Sequence, residues 1–262
     1  MSSIKCHRFE GKVAIVTAAT KGIGLAIAER LGVEGASVVI SSRSQENVNE
    51  SLVYLRGRGV KKVEGMVCHV AKDDHRKALI DFTLSKFGRI DILINNHGIN
   101  PVFGDMMDVS ESVWDKLFET NVKAGFLLTK LVMPHMLKVG GGNVLFNASF
   151  GGYKSFKGIA AYSVTKTTLL GLTKALSDEL APKGIRVNCI APGVIKTKMS
   201  KAMWDGNGEE SQKDLATAMD TPLGRIGTPE ECAGTVAFLV SEDASYITGE
   251  TVVINGGGHA RL

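Results

Sequence analysis

Short β-branched or apolar runs alternate with longer amphipathic stretches along almost the whole chain, and this alternation restricts the fold more than any other feature. The runs are Lys12 to Thr17, Ser37 to Ser41, Val63 to Cys68, Ile90 to Asn95, Asn143 to Asn147, Ile185 to Ile190 and Thr251 to Ile254. Helical patterns lie between them, at Gly22 to Val33, Glu46 to Arg56, Asp74 to Phe87, Glu111 to Lys138, Ala161 to Leu180 and Pro229 to Val240. The run from Ile90 to Asn95 is nearly continuous in apolar residues, as expected when both faces of a sheet are covered. Repeated strand–helix–strand units require right-handed crossovers and give a parallel sheet with helices on both faces. The chain is therefore expected to be a single doubly wound α/β domain over residues 1–262. Ligands of such a fold bind beyond the carboxyl ends of the strands. The weakest regular signal, at about 196–228, contains Gly206, Gly208, Pro222, Gly224 and Gly227, and is expected to be an irregular substrate lid.

Composition removes several function classes. The 262 residues are 44% hydrophobic, enough for a large core, and 31 basic against 27 acidic residues leave a formal charge of only +4. No basic stretch is interleaved with aromatics, so no nucleic-acid partner is expected. No segment approaches the ~20 apolar residues of a membrane span, and Met1 to Glu10 lacks the apolar run of a signal peptide. The four cysteines, Cys6, Cys68, Cys189 and Cys232, form no C-x-x-C and read as reduced thiols of an intracellular protein. Six scattered histidines offer no zinc spacing, and no metal is expected.

The first run leads directly into Thr17-Ala18-Ala19-Thr20-Lys21-Gly22-Ile23-Gly24, whose glycines open a helix. A strand, glycine turn and helix N-terminus together make a seat for a dinucleotide pyrophosphate. The second run ends in Ser41-Ser42-Arg43, without the carboxylate that would hold a ribose 2′-hydroxyl. Arg43 can grip a 2′-phosphate, with Lys21 adding charge, which favours NADPH over NADH.

Tyr162 and Lys166 stand one helical turn apart and share a face. A phenol normally titrates near ~10, and a neighbouring ammonium would make its proton more labile. Ser149, just after a strand, can hydrogen-bond a substrate carbonyl. Asn121 is a poor helix former inside a long helical pattern, which suggests a hydrogen-bonding task such as holding a water against Lys166. The Tyr-x-x-x-Lys spacing is weak alone and gains weight from its company.

Thr17 to Gly24, Asn95-Asn96-x-Gly98, Asn121, Ser149, Tyr162-x-x-x-Lys166 and Pro192-Gly193 fall in the order and spacing of the short-chain dehydrogenase/reductases, which the chain resembles over essentially its whole length. Val67-Cys68-His69-Val70, Ala191 to Thr197 and Ser241 to Thr251 are similar to a branch of NADPH-dependent carbonyl and retinal reductases. The resemblance implies a Rossmann fold, an NADPH/NADP+ cofactor and reduction of a small-molecule carbonyl substrate by hydride transfer. It implies Tyr162 as the acid at the carbonyl oxygen, Ser149 as that oxygen's partner, Lys166 on the tyrosine and the nicotinamide ribose, and Asn121 in a water relay. Thr17, Ala19, Thr20, Lys21, Gly22, Ile23 and Gly24 would line the phosphates, with Ser42 and Arg43 at the 2′-phosphate. His69 and Val70 would lie at the adenine, and Asn95, His97 and Gly98 along the adenosine and ribose. Pro192, Gly193, Ile195 and Thr197 would lie at the nicotinamide.

Three residues depart from the family pattern. Ala18 stands where glycine is usual, His97 where alanine is usual, and His69 where an acidic residue commonly faces the adenine. Phe150, Tyr153, Phe156, Met199 and Met203 are candidate walls for flat or apolar ketones, dicarbonyls, quinones or retinal. The resemblance also implies a homotetramer. Ala260-Arg261-Leu262 resembles the peroxisomal Ser-Lys-Leu address, which makes an import receptor a further expected partner and the peroxisome, otherwise the cytosol, the expected compartment. Two other readings stay open: a 3-oxoacyl-thioester reductase or alcohol dehydrogenase on the same fold, and a non-enzymatic nucleotide-binding regulator.

Overall fold

The structure is a computed structural model and describes residues 7–204 and 209–258. Cys6, Gly206, Gly208 and the Ala260-Arg261-Leu262 tripeptide lie outside the described residues.

Seven parallel strands form one sheet. They are β1 (Val13–Val16), β2 (Ser37–Ser42), β3 (Val63–Val67), β4 (Ile92–Asn95), β5 (Gly142–Asn147), β6 (Ile185–Pro192) and β7 (Thr251–Ile254), in the order β3-β2-β1-β4-β5-β6-β7. The helices are α1 (Gly22–Val33), α2 (Gln45–Gly57), α3 (Asp73–Phe87), α4 (Glu111–Phe118), α5 (Ala124–Lys138), α6 (Ala160–Leu180), α7 (Lys201–Trp204), α8 (Glu209–Ala218) and α9 (Pro229–Leu239).

The period-two alternation of the strands builds two cores. Ala14, Val16, Val38, Ile40, Ile92 and Ile94 point to one face and pack with Ile27 and Leu31 of α1 and Val236 of α9. Ile15, Val39, Leu93, Val144 and Val187 point to the other and pack with Leu79 of α3, Leu128 and Val132 of α5 and Leu169 of α6. Wholly buried side chains such as Ile15, Ile27, Leu31 and Leu93 contribute about 1.5–3 kcal/mol each relative to exposure.

Two expectations need correction. The pattern from Glu111 to Lys138 is not one α-helix. A π-helical turn at Glu119–Lys123 separates α4 from α5, and Asn121 sits in it because its side chain is bonded elsewhere, as described below. The segment at 196–228 is also more regular than its glycine-rich composition suggested. It contains α7 and α8, whose local i,i+4 bonding outweighs weak patterning.

The sheet order reverses beside β1: β2 and β3 run out on one side, β4 to β7 on the other. The crevice at this switch point lies beyond the carboxyl ends of β1 and β4, where Thr17 and Asn95–Gly98 begin. That topology positions the site.

Candidate active site

The turn after β1 is tightly held. Thr17 is wholly buried, and its hydroxyl lies 3.1 Å from Ile94 O and 2.8 Å from His97 Nδ1. It also accepts the Asn96 and His97 N–H groups at 3.0 and 3.3 Å. Ala18 adopts a left-handed conformation, φ +50°. The Ala19 N–H donates to Ser41 O, and Thr20 O accepts from the Ser51 hydroxyl. Gly22 also has positive φ, +56°. Gly24 has no room for a side chain: a Cβ would lie 2.3 Å from Asn96 Nδ2 and 2.7 Å from Ala18 O. Ile23 packs against the core, and Lys21 is exposed.

The turn fits a dinucleotide. Lys21 caps α1 without any side-chain acceptor, so the first-turn N–H groups are left to a ligand. At the ends of β2 and β3, Ser41 Oγ and His69 Nδ1 are buried with no partner among the described residues. Ser42 O accepts from Cys68 N, Ser42 is half-buried and Arg43 is exposed. Burial, then the charges of Arg43, Lys72 and His75, lowers the His69 pKa and favours the neutral ring. Val70 is buried, with its carbonyl accepting from Arg76 Nη1 at 2.7 Å.

The strand-exit motif divides differently from its expected roles. Asn95 is buried and turned toward α5, where its Nδ2 lies 3.5 Å from Thr129 Oγ1. Asn96 is the residue that reaches the turn. Its Nδ2 donates to Thr17 O and Ala18 O, at 3.1 Å each. His97 faces inward and is buried. Burial, followed by the Lys166 and Arg76 charges, pulls its pKa down to about 3, so it is neutral beside Thr17. Gly98 lies under the Lys166 side chain, since a Cβ there would approach Lys166 Nζ to 3.2 Å.

Helix α6 presents Tyr162 and Lys166 on one face, with Lys166 Nζ 5.5 Å from the Tyr162 ring centre. The Tyr162 phenol lies beside Ser149, whose Oγ accepts the Gly151 N–H at 3.1 Å. Burial raises the Tyr162 pKa to about 12, while Ser149 lowers it in part. Burial, rather than the Lys166 charge, dominates the shift of the phenol. Lys166 is buried and donates to Asn147 O at 2.7 Å, and burial lowers its own pKa to about 8.

Asn121 is 2% exposed, and both of its amide hydrogens are spent on Ile99 O and Thr165 Oγ1, each at 3.0 Å. Its Oδ1 accepts the Ile99 N–H at 2.8 Å. The side chain therefore clamps the chain after β4 to α6.

Beyond β6, Gly193 makes room for Asn255, which a Cβ would meet at 2.9 Å, and Pro192 is the buried last residue of the strand. The Ile195 side chain enters the core, and its main chain forms a parallel bridge with Gly227. Thr197 Cγ2 would stand 3.1 Å from a Cβ on Gly22, which brings this loop against the start of α1. The Ser200 hydroxyl donates to Ile195 O at 2.5 Å and accepts from Trp204 Nε1 at 3.0 Å, pinning α7 to the strand exit. Among the wall candidates, Phe150 is buried against Phe156, whereas Tyr153, Met199 and Met203 are exposed. Cys68, Cys189 and Cys232 are free and buried, no metal cluster occurs among the described residues, and no described helix is long and apolar enough to cross a membrane.

Asn147, Thr165 and Ser200 were not anticipated, and Asn96 was expected only as a member of the Asn95-Asn96-x-Gly98 motif. Of the first three, Asn147 carried a sequence signal, as an amide following Val144, Leu145 and Phe146 in a strand, where asparagine is depleted.

A parallel sheet with a glycine turn at its switch point, and a serine–tyrosine–lysine group beside it, defines a nicotinamide-dinucleotide oxidoreductase. A family model described as "Enoyl-(Acyl carrier protein) reductase" matches residues 17–259. "Dehydrogenase/reductase SDR family member 4" of Caenorhabditis elegans is 65% identical over 98% of both chains. The human protein of that name is 52% identical over 96% of this chain and 88% of its own length. A 7α-hydroxysteroid dehydrogenase complexed with NADH and 7-oxo glycochenodeoxycholic acid superposes with a TM-score of 0.89, at 32% identity and 100% coverage of both chains. Actinorhodin polyketide ketoreductase with NADPH gives 0.86, at 35% identity, covering 94% of this chain and 96% of that one. The chain belongs to the short-chain dehydrogenase/reductase family.

Proposed function

We propose that this chain is an NADPH-dependent carbonyl reductase that converts ketones, dicarbonyls or retinal to alcohols. The observation that carries the reading is the placement of the Tyr162 phenol beside Ser149 and on the same face of α6 as Lys166, whose Nζ lies 5.5 Å from the ring centre. A phenol that holds its proton at neutral pH is poised to give it to a carbonyl oxygen, and Ser149 supplies a second hydrogen bond to the same oxygen. A reduced nicotinamide supplies the hydride when bound. The two structural neighbours support this class, because their names describe a 7-oxo steroid with NADH and a ketoreductase with NADPH.

Lys166, charged and buried beside the phenol, would hold the nicotinamide ribose and stabilise the phenolate left after proton transfer. NADPH is favoured because β2 ends in Ser41-Ser42-Arg43 without a carboxylate, and Arg43 and Lys21 are exposed cations on adjoining loops. The 196–228 segment, with exposed Met199 and Met203 and the Ser200 anchor, serves as the substrate lid. Assembly as a homotetramer, and import directed by Ala260-Arg261-Leu262, belong to the same proposal. Light scattering checks the first, and a reporter fused to residues 253–262 checks the second.

The deciding experiment follows NADPH consumption with dicarbonyls, aromatic ketones, retinal and an oxoacyl thioester, repeated with NADH and with Tyr162→Phe. Turnover that prefers NADPH and simple ketones and falls ~10²–10⁴-fold in the variant is expected. Preference for the thioester would reassign the substrate. Tight NADPH binding without turnover would favour a nucleotide-binding regulator.

A further inference from the structure

Asn147 ends β5 after Val144, Leu145 and Phe146, all buried. At such a position a β-branched or aromatic residue packs well, and an amide must find hydrogen bonds to be tolerated. Asn147 is satisfied only in part. Its Nδ2 donates to Asn96 Oδ1 at 2.9 Å, while its own Oδ1 is buried without a partner among the described residues. A valine would leave no orphaned oxygen, so what the amide contributes is its hold on Asn96.

Asn96 is committed at its other end to the carbonyls of Thr17 and Ala18. Those two residues form the left-handed turn that delivers the chain to the N-terminus of α1. On the opposite side, the main-chain carbonyl of Asn147 accepts the Lys166 ammonium at 2.7 Å. Asn147 thus touches the catalytic lysine directly and the dinucleotide turn through one intermediary. The three segments come from β5, β4 and β1, which are neighbours in the sheet, so the chain of bonds runs across the strand ends.

We propose that Asn147 is a positioning residue that fixes the Lys166 ammonium and the Thr17–Gly24 turn in one register, so that a single frame meets both ends of a bound dinucleotide. This rests on the function proposed above, because only a ligand spanning both places makes their register matter. Networks of this kind act as a unit, and removing one member is felt at the others.

The test compares wild type with Asn147→Val, Asn96→Ala and the double variant. Kd values for NADPH and NADH are read from nicotinamide fluorescence. Amide hydrogen exchange is measured on the ligand-free proteins. Asn147→Val is expected to weaken both cofactors about ten-fold without changing their ratio, since Arg43 is untouched. The double variant is expected to bind no worse than Asn96→Ala alone. Exchange at residues 17–24 is expected to quicken at least ten-fold in Asn147→Val, while the β5–β6 pairing stays within two-fold. Cofactor affinity within two-fold of wild type, losses that multiply in the double variant, or exchange that quickens along β5 instead of the turn would each overturn the proposal. If Asn147→Val does not fold, Asn147→Ala carries the same measurements. A wild type that binds neither cofactor would refute the proposed function alone. The exchange data on ligand-free protein would then decide the role of Asn147 independently.

Discussion

The Lys166 ammonium lies 5.5 Å from the centre of the Tyr162 ring, and burial displaces the two groups in opposite directions, the lysine down to about 8 and the phenol up to about 12. Between pH 8 and the ordinary lysine value of 10.5 the unfolded chain binds more protons at this lysine than the folded one. Stability therefore rises with pH across that window. The buried charge costs about 3 kcal/mol at neutrality, and this cost is relieved as the proton leaves. Urea unfolding from pH 7 to 10 should show wild type gaining on Lys166→Met by up to that amount. Above pH 10 the sign reverses for Tyr162, because the folded state keeps a proton that the unfolded state has lost. The decline should be absent in Tyr162→Phe.

Ala18 is a left-handed alanine at the entrance to α1. An L-residue there carries a strain of roughly 1–2 kcal/mol, which glycine avoids at the expense of a more flexible unfolded chain. Ala18→Gly should therefore raise the unfolding free energy modestly, by less than about 1 kcal/mol, as read from urea midpoints. A loss of stability would mean that the methyl group packs more than it strains.

Gly24→Ala should do the reverse. The added Cβ meets the Asn96 amide and the backbone of Ala18 and Ala19 at 2.3–2.9 Å, and the backbone cannot yield as a flexible side chain would. A destabilisation of about 1–3 kcal/mol and at least a ten-fold weaker NADPH complex are expected. Gly57→Ala, where a Cβ meets nothing within 4 Å, should be neutral or mildly stabilising and serves as the control.

Arg43→Asp should turn the preference from NADPH toward NADH. The carboxylate would repel a 2′-phosphate and accept a ribose hydroxyl. The ratio of the two Kd values measures it, and an unchanged ratio would move the phosphate site away from the end of β2.

Much of this site is legible in the sequence. The Thr17–Gly24 turn, Ser149, Tyr162 and Lys166 are local features, fixed by spacing along one strand exit or one helix face. Asn121 stands out because asparagine is out of place in a helix, but its partners lie 22 and 44 positions away, and no local pattern names them. The π-helical turn that carries it follows from those partners.

The sequence by itself determined the order of the seven strands, because apolar periodicity acts within a few residues, and the resemblance of its motifs to the short-chain dehydrogenase/reductases implied the serine–tyrosine–lysine group. The tertiary structure alone decided that Asn96 rather than Asn95 holds the turn, that His97 is a neutral ring beneath Thr17, and that Asn147 seats Lys166. It also decided that the phenol is raised rather than lowered. These outcomes depend on desolvation and on hydrogen bonds between separate strands. Both are properties of the assembled interior, which no stretch of the chain possesses alone.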